Sequence, residues 1–492
     1  MLERITVETA SGPIQGRSKE DVFLFAGVPY AAPPVGNLRF KAPMPHTPWL
    51  DPREALKFGP AAPQVATGGM TDAASVRWDE DCLTLNISTP ACDDAKRAVL
   101  VWIHGGGYRT GQGSIPWYNG ARFSANGDIV VVSINYRLGA LGFTELSHLG
   151  AEYESASVAG ILDQIAALRW VRDNITQFGG DPQRVTIAGE SAGGFSVSTL
   201  LGCEAARGLF HRAIPQSGGA HHTLPKPAAE IVTQHFLDAL NAHDPITLEA
   251  MSADDILAAQ TATIAKFEGG AGVMNELGVA VSPFYPAHGT QLLPQSPLHN
   301  IRAGMGSDVA VLTGSNTDET TLWGYGDVDE AKLARIANGY GASDALDVYR
   351  AQRPHAGPDE VLIALTTDHM FRIPAIRVAE ARAAHTDDTW MYLFNWNSRA
   401  FEGRLKATHA LEIPFAFNNL DRAGVDIFIG PGERPQHVAE VMHRAWTKFI
   451  NNGNPGWERY DAGRRTTMVF DDTSQVSEDP AAVERMAWEG LR

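Results

Sequence analysis

Cysteine is scarce. Three residues, Cys82, Cys92 and Cys203, are spread through 492 positions, which excludes a disulfide scaffold, and their spacing matches no thiolate metal site. Thiols at this density fit a reducing compartment, and inert buried side chains are expected. Long apolar runs are missing too: residues 129–133 are among the longest, far short of the ~20 residues that cross a bilayer. The opening Met-Leu-Glu-Arg-Ile-Thr-Val-Glu sets no basic segment ahead of an apolar one, so a soluble, cytoplasmic protein is expected. Positive charge is in deficit, with 40 Lys and Arg against 57 Asp and Glu for a net −17, which argues against nucleic acid or an anionic membrane as the main partner. Repeats, low-complexity tracts and linker-like stretches are absent, so residues 1–492 are expected to form one elaborated domain, as a monomer or homodimer.

What is present is an α/β pattern. The continuous apolar runs 98–103, 129–134, 184–188 and 309–313 predict parallel strands buried on both faces. Between them, Ile161, Ile165, Leu168 and Val171 space a helical stripe within 160–178, with Asp163 and Arg169 left for polar contacts. Residues 4–30 alternate around Ser11-Gly-Pro13 as an opening hairpin at a sheet edge. Residues 436–450 predict an amphipathic helix, and a further helical stretch is expected from Asp479. Two Ala-rich helical regions, 221–302 and 327–382, interrupt the strand series and are expected to lie over the strand ends, as gorge walls where such sheets bind ligands.

The run Val185-Thr-Ile-Ala-Gly-Glu-Ser-Ala-Gly-Gly194 drives a β-branched strand into Gly-x-Ser-x-Gly, the pattern of a strand, a sharp turn and a helix with Ser191 exposed at the apex as a nucleophile. His104-Gly-Gly-Gly107 follows another buried strand and offers backbone N–H donors that no side chain shields, suited to an oxyanion. A serine hydroxyl needs a neutral imidazole to take its proton and a carboxylate to orient that imidazole. Sixteen histidines are too many for periodicity to choose among. The adjacent His221-His222 has no carboxylate or Cys at ligand spacing, so no metal or other cofactor is expected.

The long stretch Phe178-Gly-Gly-Asp-Pro-Gln-Arg-Val-Thr-Ile-Ala-Gly-Glu-Ser-Ala-Gly-Gly194 resembles the nucleophile region of the type-B carboxylesterases, the family that includes cholinesterases and bacterial para-nitrobenzyl esterases. The resemblance continues in Glu80-Asp-Cys-Leu-Thr-Leu-Asn-Ile87, Val101-Trp-Ile-His-Gly-Gly-Gly107, Asn135-Tyr-Arg-Leu-Gly139 and residues 163–171, and thins towards Asn454-Pro-Gly-Trp457. It implies an α/β-hydrolase fold, with a large mostly parallel sheet flanked by helices. It also implies His409, in Ala407-Thr-His-Ala-Leu-Glu-Ile-Pro-Phe, as the base, and Glu319, in Val311-Leu-Thr-Gly-Ser-Asn-Thr-Asp-Glu-Thr320, as the acid. Gly106, Gly107 and Ala192 become the oxyanion donors, Glu190 and Ser217 modulators beneath the triad, and Arg39 with Glu80 a structural ion pair. Tyr108, Trp323, Phe371, Phe415 and Phe417 lie near the motif loops as candidates for the substrate pocket.

Two departures from the family qualify this picture. Ala62 stands where secreted members carry the Cys that pairs with the position of Cys82, so Cys82 is expected to be a thiol. Asp72 stands where cholinesterases hold choline with a Trp, which argues against cation–π recognition there. The resulting expectation is a serine esterase acting on uncharged, fairly apolar small-molecule esters through an acyl-enzyme. An amidase or carbamate hydrolase would use the same residues. A silent, adhesion-type relative would have lost the serine, which this chain keeps.

Overall fold

The computed structural model describes residues 3–66, 76–268 and 282–491; Asp72 lies outside them. Strands β1 (Arg4–Thr9), β2 (Gly12–Lys19) and β3 (Val22–Pro29) form the predicted antiparallel edge, joined by the short β4 (Arg53–Glu54). Then follow β5 (Thr84–Thr89), β6 (Arg97–Ile103), β7 (Val130–Ile134), β8 (Gly180–Glu190) and β9 (Arg212–Gln216). After a separate two-stranded pair, β10 (Leu224–Pro225) with β11 (Ala287–His288), the large sheet resumes in β12 (Ala310–Asn316), β13 (Thr389–Phe394), β14 (Thr466–Phe470) and β15 (Gln475–Glu478). Its order is β1-β2-β3-β5-β7-β6-β8-β9-β12-β13-β14-β15, and every neighbour from β7 to β14 runs parallel.

The central strands read as unbroken apolar runs because alternate residues serve two separate cores. Val99, Val101 and Ile103 of β6 join Val130, Val132, Val185 and Ile187 on one face. Ala98, Leu100 and Trp102 join Val131, Ala188 and Ile214 on the other. The first face is covered by the helices Ala159–Asn174 and Ala192–Leu201, the second by Gln436–Asn452 through Met442, Trp446 and Phe449. Each such fully buried aliphatic side chain contributes about 1.5–3 kcal/mol relative to exposure, so covering both faces is what holds this sheet together.

The order β7-β6-β8 places the switch point of the sheet between β6 and β8. Chain leaving β6 heads for β7 and chain leaving β8 heads for β9 in the opposite direction, which opens a crevice at the carboxyl ends of the two strands. His104 and Ser191 are the first residues beyond those ends.

Of the two intervening regions, 221–302 carries the helices Lys226–Leu240, Pro245–Ala250, Ala253–Glu268 and Pro297–Arg302 together with β10 and β11, strands too short to show a period in the sequence. Region 327–382 carries Glu330–Gly339, Ala345–Gln352 and Pro358–Thr367, then a π-helical turn at Asp368–Arg372 that runs into Ile373–Ala383. The final helical stretch is only Ala482–Met486, because β14 and β15 take up the preceding chain.

Two ion pairs, the first part-buried and the second fully buried, tie distant segments to this frame. Arg39 meets Glu80 through two contacts of 2.8 and 2.5 Å and also donates to the carbonyls of Glu249 and Met251. Arg137 forks onto Asp163 at 2.8 and 2.7 Å, with both side chains almost wholly buried. In both pairs the planar guanidinium and the carboxylate satisfy each other, for Arg137 and Asp163 where water is excluded.

All three cysteines are free thiols. Cys82 is fully buried, and burial, reinforced by the nearby Asp163 carboxylate, pushes its thiol far up; burial likewise pushes Cys92 up to about 11. Because the thiolate is the reactive form, alkylation of the folded protein should be slow, all three cysteines should label after denaturation without reductant, and reductant should leave Tm unchanged. Intact-mass analysis checks this, and fewer than three labels would reveal a disulfide.

Candidate active site

At the end of β8 the chain turns sharply and enters the Ala192–Leu201 helix. Ser191 sits in that turn at φ 56° and ψ −125°, a region L-residues avoid at a cost of about 1–3 kcal/mol. Its N–H donates to the Gln216 carbonyl of β9 at 3.0 Å, and its carbonyl accepts from Phe195 N–H at 2.7 Å. The turn also needs close backbone approach, since a Cβ on Gly193 would lie 2.0 Å from the Ile103 carbonyl oxygen. Here the Gly-x-Ser-x-Gly spacing is a packing requirement.

The loop after β6 faces the same crevice. Gly106 and Gly107 adopt φ of 110° and 61°, and the Gly106 carbonyl is turned inwards to accept the N–H groups of Arg109 and Thr110 at 3.0 Å each. Ala192 opens the helix behind Ser191, so its N–H belongs to the first turn, which has no intrahelical acceptor.

Beyond β12, Glu319 begins a short 3₁₀ turn, Glu319–Leu322. One carboxylate oxygen accepts from Ser217 Oγ at 2.6 Å and from Asn316 N–H at 2.8 Å; the other meets His409 Nδ1 at 2.6 Å. The backbone repeats the link, with His409 N–H donating to the Glu319 carbonyl at 3.1 Å. Asp318 is turned elsewhere: Thr317 Oγ1 donates to its carboxylate at 3.0 Å, and Thr321 N–H and hydroxyl donate to its carbonyl. On the far side of the imidazole, Nε2 lies 3.1 Å from Glu190 Oε1, an oxygen that makes no aligned hydrogen bond.

Glu412, three residues beyond His409, is an addition to the residues singled out in the sequence. It is fully buried and accepts from Gln216 Nε2 at 3.0 Å and Asn316 Nδ2 at 2.8 Å. Trp446 Nε1 donates to Gln216 Oε1 at 3.0 Å, which fixes the amide with its NH₂ towards Glu412, because an indole only donates. Asn316 Nδ2 also reaches the Thr408 carbonyl at 2.7 Å. One carboxylate thus ties together the ends of β9 and β12 and the loop that bears His409. In sequence, Glu412 reads only as the start of the short helix Ile413–Ala416.

The electrostatics follow from burying three carboxylates beside one imidazole. Burial, opposed by His409 and reinforced by Glu412 and Glu319, pushes Glu190 up to about 8. Burial and Glu319 push Glu412 up to about 7. His409 is pulled down by burial, but Glu190 and Glu319 outweigh this and raise it above the ordinary imidazole value. Glu190 and His409 share the same proton balance, and the direction that follows from a carboxylate at each ring nitrogen is stabilisation of the imidazolium.

Above Ser191 opens a cavity bordered by Gly105, Gly106 and Gly107, Glu190, Ser191 and His409. Its apolar walls are Ile115, Trp117, Tyr118, Phe195, Leu322, Trp323, Phe371, Ile413 and Phe428, and Arg109 and Thr110 also line it. Trp323 and Phe371, two of the candidates for the substrate pocket, border this cavity. Tyr108, Phe415 and Phe417 do not: Tyr108 is buried with its hydroxyl near Ser196, Phe415 packs on Phe394 and Trp396, and Phe417 fills the core between Trp102 and Phe123. Closeness in sequence to a motif was misleading there, because those side chains face the sheet. Phe195 had a usable signal, standing one helical turn beyond Ser191 and so on the same side. Region 327–382 contributes Phe371 to the lining, whereas no described residue of 221–302 reaches it. Among the described residues no cluster of three His, Cys, Asp or Glu could hold a metal, and no helix is long and apolar enough to cross a membrane.

Comparison with known proteins agrees with this architecture. Residues 3–484 match the model of the carboxylesterase family. The chain is 36% identical to the para-nitrobenzyl esterase of Bacillus subtilis over 97% of both chains, and 35% identical to the phenmedipham hydrolase of Pseudarthrobacter oxydans over 99% of both. The crystal structure of a Geobacillus stearothermophilus carboxylesterase superposes with a TM-score of 0.87 at 36% identity, covering 98% of this chain and 99% of that one. With an α/β-hydrolase sheet, and family similarity running through nearly its whole length, this chain belongs to the carboxylesterase family.

Proposed function

We propose that this carboxylic ester hydrolase uses Ser191 as nucleophile, His409 as general base and acid, and Glu319 as the carboxylate that orients the imidazole. The observation that carries the reading is the 2.6 Å contact between Glu319 and His409 Nδ1, with Ser191 and His409 bordering one cavity. Ser191 Oγ attacks the ester carbonyl carbon and its proton passes to His409 Nε2. The oxyanion is met by the N–H groups of Gly106, Gly107 and Ala192, each such donor being worth roughly 10²–10³ in rate. Collapse expels the alcohol, which takes the proton from Nε2; water then repeats the sequence on the acyl-enzyme and releases the acid. Ser217 holds Glu319 in place, and Glu190 favours the imidazolium from the other side. The aromatic and aliphatic walls suit uncharged, fairly apolar small-molecule esters.

Replacing Ser191 by Ala should leave a folded protein whose kcat on para-nitrophenyl butyrate is lower by several orders of magnitude, because no acyl-enzyme forms while the oxyanion donors remain. Activity of the purified variant within tenfold of wild type would remove Ser191 from the mechanism.

The two neighbouring carboxylates separate the acid from its brace. Glu319→Gln should lose at least about 10²-fold in kcat and Asp318→Asn under about tenfold, since only the former touches the imidazole. Steady-state kinetics on both variants decides the matter, and the reverse ranking would pass the role to Asp318.

The pH dependence has a definite sign. Only neutral His409 accepts the serine proton, and its neighbouring carboxylates raise its pKa above the ordinary value, so the acid limb of kcat/KM should lie above ~6.5. Glu190→Gln removes one of those carboxylates, destabilises the imidazolium and should move the limb to lower pH. A limb that stays put in Glu190→Gln would show that Glu190 does not act on the base.

A further inference from the structure

His222, part of the adjacent histidine pair, is buried one layer behind the cavity. Its Nδ1 lies 3.0 Å from the Gly219 carbonyl oxygen and its Nε2 lies 3.0 Å from the Met370 carbonyl oxygen. Both partners only accept. A neutral imidazole carries a single N–H, so whichever tautomer it takes, one nitrogen would turn a lone pair towards a carbonyl; only the doubly protonated ring donates to both.

A second, independent observation leads to the same charge state. The His222 ring lies flat on Phe195, with centroids 3.5 Å apart and planes within 5°. Two neutral aromatic rings avoid a face-to-face sandwich and prefer offset or edge contacts at about 4.5–7 Å. A cation over a ring face is attracted by the ring's quadrupole. Rings elsewhere along this wall keep the ordinary spacing: Phe195 to Phe371 is 6.2 Å and Phe371 to Trp323 is 6.0 Å.

The two carbonyls belong to segments that matter for the site. Gly219 is two residues beyond Ser217, which holds Glu319, and its backbone is pressed against Pro374, where an added Cβ would lie 2.3 Å from that ring. Met370 sits inside the π-helical turn Asp368–Arg372, an element frequent at functional sites and lacking the regular i→i−4 bonding. The next residue, Phe371, borders the cavity and packs on His409 at 4.7 Å.

We propose that His222 is a positioning residue, protonated on both ring nitrogens, that ties the loop at Gly219 to the π-turn at Met370 and so sets the Phe195–Phe371 wall of the ester cavity. It rests on the esterase reading above only for its kinetic readout. Through this bracket the wall stays rigid, and a rigid wall discriminates among acyl or alcohol groups by size, where single contacts are worth roughly 10–200-fold.

Two measurements test it. In uniformly ¹⁵N-labelled protein at about pH 7.5, the imidazole assigned to His222 by its contacts with the Phe195 ring should show two protonated nitrogens. His222→Phe keeps a flat ring over Phe195 and removes both donors. In that variant the spread of kcat/KM across para-nitrophenyl acetate, butyrate, hexanoate and octanoate should shrink by at least about fivefold, mainly through KM. A singly protonated His222 overturns the proposal, as does a chain-length profile matching wild type to within about twofold. Should His222→Phe fail to fold, the spectrum of the wild-type protein still decides the charge state. Wild-type protein without activity on any of the four esters would fail the esterase reading instead, and leaves the spectral result standing.

Discussion

The site depends on one constraint: Glu190, Glu319, Glu412 and His409 are all buried in one volume. An ionised carboxylate out of water is stable only if donors or an opposite charge replace its hydration. Glu319 receives Ser217 Oγ, the Asn316 N–H and the imidazole. Glu412 receives two side-chain amides. Glu190 has the imidazole on its Oε1 side without an aligned hydrogen bond. The three carboxylates are therefore held unequally, and Glu190 is the one that stands against His409 Nε2.

The donors that satisfy this cluster come from strand ends, so the geometry of the site is inherited from the register of the sheet. Gly314 of β12 pairs with Gln216 of β9, and Ser217 and Asn316 lie just past that pairing. Because side chains alternate along a strand, a slip of one residue would turn Gln216 away from Glu412 and Trp446 together. The strained Ser191 depends on the same strand, through its N–H to the Gln216 carbonyl. Ser191, Glu319 and His409 sit on three separate loops, yet β9 and β12 fix all three relative to one another.

Much of this was legible in the sequence, for physical reasons that differ by element. The central strands betray themselves because both faces are covered, and Gly193 is demanded by contact with Ile103. The choice of His409 came from family resemblance, since nothing periodic marks one histidine among sixteen. Glu412 escaped notice because its partners, Gln216 and Asn316, lie 196 and 96 residues away, and a buried carboxylate looks like any other in a string of letters. Phe415 and Phe417 illustrate the opposite error: they share a segment with His409 but point into the core against Phe394 and Trp102. Proximity along the chain says which loop a residue belongs to, whereas the face it takes is decided by what the sheet has left to cover.

The walls of the cavity and the chemistry beneath them are not separable. Phe371 and Trp323 pack on the His409 ring at 4.7 and 5.1 Å while also bordering the cavity above Ser191. Apolar rings in that position exclude water from the imidazole, and exclusion strengthens every charge interaction with Glu190 and Glu319. Trimming either ring would thus also wet the His409 imidazole and weaken the fields that shape its proton affinity. Phe195 reaches the cavity from the helix behind Ser191 and is backed by His222. It stacks on Phe371, which in turn packs on His409, so a change there is passed on to the rings over the imidazole, and the shape of the space and the proton affinity of His409 are coupled on that wall as well.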